Sequence, residues 1–487
     1  MSHSRRDFLI RTTCATLGAA AFQGTVRQFG LANLLATPNA VTGNYRALVC
    51  VYLNGGSDSN NMIVPTDAGN YGAYAASRPG LALPNAGSPN GVLAFNAGPA
   101  STPGQTFGIH PNMPEIKGLY DAGKLAVVTN VGPLVEPLKQ SEYIGNSKKK
   151  PYALFSHSDQ VQAWESGRSD IKISTGWGGR AADAVADCNA AGGGFPPMTS
   201  IAGSQTFCLG LKRPLSIGTG SLTSVLALSG FSGSTTDIAR RTSMDYLRTI
   251  DTVASTMNAA ASGTTQQAVD ISADFSSDPT INTVFPNTGL ANQLKQVAKV
   301  IKLVQNAPGL NLSRQIFFVS QGGYDTHQNQ LNDQGNNFLD LSQALNAFYS
   351  ATVELGLQNN ITTFTLSDFG RTLQPSGTGN SIGTDHGWGG HQLVIGDAVS
   401  GNNFYGTPNQ DTGLIFPTLT PGSLDDTTNN VNNGRGRWIP TSGSDQYGAT
   451  LAKWFGVADL DMGAVFPNKD NFPTMDLGFM GAPPAGC

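Results

Sequence analysis

Arg46-Ala-Leu-Val-Cys-Val-Tyr-Leu53, stopped by Asn54-Gly55-Gly56, sets how the rest of the chain is read. A short unbroken apolar run carrying two valines and a tyrosine reads as a strand buried on both faces. The pattern recurs outward from it. Strands are predicted at 125–131, 315–320, 361–366 and 392–395. Helices are predicted at 113–122, 290–305 and 337–355, the last with Phe338, Leu341, Leu345 and Phe348 on one face. Strand and helix alternating at this spacing imply a parallel α/β arrangement. The expected fold is a three-layer sandwich, a central, mostly parallel sheet flanked by helices. Strands 47–53, 125–131, 315–320 and 361–366 should be neighbours in that sheet. The stretch 187–287 is rich in Gly, Ser, Thr and Ala, and is expected to be a loop-rich insertion with a helix at 238–257. Residues 425–436 should form a surface loop.

Ser4-Arg5-Arg6-Asp7-Phe8-Leu9 precedes a mild Ala/Gly-rich stretch at 13–22, the pattern of a twin-arginine export signal. Residues 1–40 are assigned to that signal and 44–487 to a single domain, working in the periplasm or outside the cell. The twin-arginine translocase is then a partner during export. The signal stretch is too short to span a bilayer, and no later segment resembles a membrane span. Net charge is −4, and Lys148-Lys149-Lys150 is the one basic block, so no nucleic-acid partner is expected. In an oxidising compartment Cys188 and Cys208 are the expected disulfide pair, with Cys50 a buried thiol.

Histidines and acids gather in short polar segments, most of them after predicted strands or beside glycines. In an open parallel sheet that is where ligands bind. Asp58 follows the first strand. Asp325 and His327 follow the strand at 315–320, and Asp368 and Arg371 the strand at 361–366. Asp385, His386 and His391 lie in Gly383-Thr-Asp-His-Gly-Trp-Gly-Gly-His391. Carboxylate with imidazole suits Zn²⁺ or a similar metal, whereas an oxygen-only set suits Mg²⁺ or Ca²⁺. Ser156 and His157 open a predicted helix. A serine there is either an N-cap or a nucleophile facing free amides.

Taken in order, VYLNGGSDSNN, HPNMPEIKGLYDAGKLAVV, SHSDQVQAWESG, TGWGGR, GGYDTH, SDFGRT and GTDHGWGGH span nearly the whole mature chain. The set resembles a bacterial family of twin-arginine-exported proteins of unknown function, distantly similar to the alkaline phosphatase and sulfatase superfamily. The resemblance implies an alkaline-phosphatase-like fold and a divalent-metal site. Its implied ligands are Asp58, Asp325, His327, Asp368 and His386, with Asp385 and His391 as alternates. Ser156 would be the nucleophile, with His157 its rival. Arg371, Arg180 and His110 would contact substrate. Two departures stand out. Phe369 occupies the place of a metal-binding imidazole, and the sulfatase modification motif is absent around Ser156. Asp325, His327 and His386 are expected to hold one tight cation, with any second ion at Asp58, Asp368 and Ser156 weak. The leading expectation is a metal-dependent hydrolase of a small-molecule or polymer phosphate or sulfate ester. A binding protein on a degenerate fold and a metal-independent serine hydrolase of a polymer ester are the alternatives.

Overall fold

The computed structural model describes residues 45–482 apart from 97, 190–194, 226–232, 250–254, 275–277, 307–309 and 311. The export segment 1–40 and Cys487 lie outside the described residues. Among the described residues, nine strands form the main sheet. In chain order they are β1 (Arg46–Leu53), β2 (Leu125–Gly132), β3 (Met198–Ser200), β4 (Leu215–Ser216), β5 (Arg314–Gln321), β6 (Ile361–Ser367), β7 (Gly390–Ile395), β8 (Asn403–Tyr405) and β9 (Ser442–Gly443). Across the sheet they run β8-β2-β7-β6-β1-β5-β3-β4, with β9 also on β2.

β1 is central and pairs in parallel with β5 and with β6. β7 runs antiparallel between β6 and β2, so the expected neighbours β6 and β2 share the sheet without touching. Alternation along β1 shows why the sheet is sandwiched. Ala47, Val49, Val51 and Leu53 enter one apolar cluster, and Leu48, Cys50 and Tyr52 enter the other. The first cluster is closed by α1 (Pro114–Asp121), α6 (Gly289–Asn306) and α7 (Gln330–Glu354). The second is closed by α2 (His157–Ser166), α3 (Trp177–Ala184) and α8 (Ser444–Phe455).

Within the stretch 187–287, β3 and β4 extend the sheet in parallel beyond β5. The helix expected at 238–257 is instead α4 (Thr235–Thr249) followed by α5 (Thr256–Asp274). Asp425 and Asp426, at the start of the loop expected on the surface, are buried, because Asp426 accepts from the backbone of Gly422, Gly436 and Arg437. Cysteine pairing is corrected. Cys188 is disulfide-bonded, but Cys208 is a buried free thiol hydrogen-bonded to Ser200, as Cys50 is free and buried. No described helix is long and apolar enough to cross a membrane.

Candidate metal centre

The carboxyl ends of β1, β5 and β6 are laced together. Gly55 and Gly56 have φ of 116° and 83°, a conformation that favours glycine. They let the chain leaving β1 pass under Asp325 and against the Phe369 ring, where any Cβ would overlap. The Ser367 hydroxyl donates to the Leu53 carbonyl and accepts from the Ser57 amide. The loops above this edge, with the start of α2, deliver every group of the centre.

His157, the first residue of α2, places Nδ1 2.7 Å from Asp368 Oδ2. Its Nε2 is 3.0 Å from His386 Nε2 and 3.5 Å from Asp325 Oδ1. His386 Nδ1 donates to the Phe155 carbonyl at 2.7 Å, and its Nε2 lies 3.5 Å from Asp325 Oδ1. One atom each of His157, Asp325 and His386 lie within 4.8 Å of one another. His327 joins them, with Nε2 3.1 Å from His386 Nε2 and 3.0 Å from Asp325 Oδ1. Its Nδ1 faces Asp385 Oδ1 at 3.5 Å, and Arg435 holds Asp385 at 2.7 Å. Phe369 walls this group, its ring 4.8 Å from that of His157 and 4.7 Å from that of His386.

The donor chemistry tests whether a cation fits. A carboxylate and a carbonyl only accept, so the Nδ1 atoms of His157 and His386 both carry protons. In neutral imidazoles their Nε2 lone pairs then face each other at 3.0 Å, with the Asp325 carboxylate beside them. Such a contact needs a shared positive charge. A tetrahedral cation with bonds of about 2.0–2.1 Å spaces its ligand atoms by about 3.3–3.4 Å. The observed separations, 3.0 to 3.5 Å, match that spacing. Two imidazoles and a carboxylate suit Zn²⁺ or a similar transition metal. The Asp368 hydrogen bond raises the His157 pKa, while burial lowers that of His386. Burial pushes the Asp325 carboxyl up, but the Arg371 hydrogen bond and charge outweigh it and leave the pKa below the usual carboxylate value.

The structure brings Asp325, His327 and His386 together and adds His157, with Asp368 orienting it. Other sequence candidates stand elsewhere. Asp58 is fully buried, ion-paired with Arg78 and bonded by Gln330 at 2.5 Å, so its oxygens are committed away from the centre. His391 is buried in β7, accepting from the Asn130 amide, and burial lowers its pKa to about 3. His110 is buried against Phe338 with its pKa lowered by burial to about 4, and accepts from the Asn112 amide. Arg180 is spent on the Val465, Thr175 and Ser166 carbonyls, which leaves it no edge for substrate. Arg371 is spent on Gly55, Thr384 and Asp325 (2.6 Å), and so positions Asp325 instead of facing solvent. The Ser156 hydroxyl donates to Asp159 at 2.6 Å. Lys172 and Ser156 hold the Asp159 pKa below the usual carboxylate value, which makes it a weak base for activating serine. Asp58, Asp368 and Ser156 therefore share no second site. Sequence reading missed Phe155, whose carbonyl fixes His386, and Arg437, whose Nε donates to the His386 carbonyl at 2.9 Å. Neither follows a strand or belongs to a metal-ligand spacing.

Comparison with known proteins adds a family and distant shapes. The family model described as "Protein of unknown function (DUF1501)" matches residues 45–414. No curated protein matches the chain. Among solved structures it is similar to the C-terminal periplasmic domain of EcEptC from Escherichia coli in complex with Zn, at 12% identity and TM-score 0.29, covering 76% of this chain and 77% of that one. A protein in the alkaline phosphatase superfamily from Vibrio parahaemolyticus is similar at 11% identity and TM-score 0.31, with 84% and 80% covered. The lipoteichoic acid synthase LtaP from Listeria monocytogenes is similar at 7% identity and TM-score 0.28, with 82% and 75% covered.

Proposed function

We propose that this chain, which belongs to the DUF1501 family, is a metal-dependent hydrolase of a phosphate or sulfate ester, exported by the twin-arginine pathway. The observation that carries the reading is the pair of Nε2 atoms 3.0 Å apart, each on an imidazole whose Nδ1 is already engaged. His157, Asp325 and His386 would hold one tight transition-metal cation, with His327 beside it. Such a cation, when bound, supplies Lewis acidity at an ester oxygen.

The chain's own groups do the rest. Asp368 and the Phe155 carbonyl fix the tautomers of His157 and His386. Arg371 fixes the carboxylate of Asp325. His327 turns Nδ1 toward Asp385 and brings Nε2 within 3.0 Å of Asp325 Oδ1 and 3.1 Å of His386 Nε2, where it would be a further ligand to the same cation. With Ser156 bonded to Asp159, the metal-independent serine reading loses its base. A non-catalytic binding protein remains the second reading, favoured by the lack of an activated side-chain nucleophile among the described residues.

The test is turnover of aryl phosphate and aryl sulfate esters by protein loaded with Zn²⁺, Mn²⁺ or Co²⁺. Hydrolysis abolished by chelation and restored by one of these metals is expected. Stoichiometric metal with no turnover across the panel would replace the hydrolase reading by the binding one.

A further inference from the structure

We infer that Arg437 forms an anion site at the edge of the metal centre, and that its ligand is a tetrahedral oxyanion, phosphate or sulfate. The inference deepens the hydrolase reading and rests on it for the cation's place. The acids around the centre each have a partner: Asp325 has Arg371, Asp385 has Arg435, Asp159 has Lys172 and Asp368 has His157. Arg437 is a half-buried guanidinium with no carboxylate of its own among the described residues. Its Nε is used on the His386 carbonyl at 2.9 Å, and its Cζ lies over the Phe155 ring, 4.8 Å from the centroid. Among the described residues neither terminal nitrogen has a hydrogen-bond partner. A guanidinium fixed by one nitrogen and one ring face presents its outer edge with little ordering cost, the arrangement that grips two oxygens of an oxyanion.

Phe155 ties this edge to the centre. Its φ of 70° is left-handed, an uncommon conformation for a bulky residue. The turn directs its carbonyl to His386 Nδ1 while its ring carries Arg437. Imidazole and guanidinium are thus fixed to one residue. A planar carboxylate would give both of its oxygens to Arg437. A tetrahedral oxyanion gives two and keeps others for the centre.

The experiment measures calorimetric binding of inorganic phosphate and inorganic sulfate to the metal-loaded full-length mature chain, beside Arg437→Met and Arg437→Lys. Weakening of roughly 10- to 100-fold in Arg437→Met is expected, with Arg437→Lys in between and metal content unchanged in both. The ion that binds tighter to wild type identifies the substrate group. Equal affinity in wild type and Arg437→Met, with equal metal content, would overturn the inference. Absence of binding of either ion to wild type would do the same. Should Arg437→Met fail to fold, equal affinities in wild type and folded Arg437→Lys overturn it as well. Wild type that binds phosphate yet hydrolyses no ester keeps the anion site and ends the hydrolase reading. Ester hydrolysis with KM unmoved by Arg437→Met does the reverse.

Discussion

Replacing Asp368 by Asn changes one oxygen to nitrogen and should weaken metal binding sharply. Asp368 is 3% exposed and serves two donors at once, His157 Nδ1 at 2.7 Å and the Gly55 amide at 3.1 Å. An asparagine can serve only one of them. If its oxygen faces His157, its NH₂ meets the Gly55 N–H, donor against donor. If its NH₂ faces His157, the imidazole must accept at Nδ1, and its proton moves to Nε2, where it points at His386 Nε2. Either orientation removes part of what holds a bare Nε2 toward the cation. Loss of such an outer partner costs about 10- to 100-fold in metal affinity, or about 1.4–2.7 kcal/mol. Competition against a chromophoric chelator measures it directly. Wild-type affinity in Asp368→Asn, with the fold intact, would refute the tautomer argument.

Ser156→Ala should keep ester hydrolysis within a few-fold of wild type, since that hydroxyl serves Asp159; a loss of about 10³-fold or more would restore serine as the nucleophile. Gly56→Ala should destabilise the protein by on the order of 2–4 kcal/mol in denaturant titration, combining a left-handed φ with overlap of the Phe369 ring. Asp445 is buried with one oxygen lacking a hydrogen-bond partner, and burial raises its pKa to about 8. A raised carboxyl contributes stability that is full below about 4 and lost as pH rises through about 8, so the melting temperature of Asp445→Asn should fall less than wild type across that window.

The long strands were legible because burial on both faces demands continuous apolar runs. β1, β5 and β6 match their predicted spans to within one residue at each end. β3 and β4 were not legible: three residues and two, in a Gly/Ser-rich stretch, carry no period. The span of β7 was read, but side-chain pattern does not encode strand direction, so its place between β6 and β2 went unseen. At the centre, acids and histidines after strands were the right places to look, and Asp325, His327 and His386 converge. His391 misled because closeness in sequence to His386 is not closeness in space once β7 turns its ring into the core. Asp58 misled because nothing nearby in sequence announces that Arg78 will bury it. His157, whose ring packs on Phe369, reaches the centre from α2, 211 positions before Asp368, a distance no spacing rule covers.

Metal content of the purified protein, wild type beside His157→Ala, tests the central claim most directly. Both should be loaded with Zn²⁺, dialysed against metal-free buffer and measured by inductively coupled plasma mass spectrometry. The account predicts about one transition-metal ion per wild-type chain and little retained by the variant. A wild type that retains none, or a His157→Ala variant that retains as much as wild type, would contradict it.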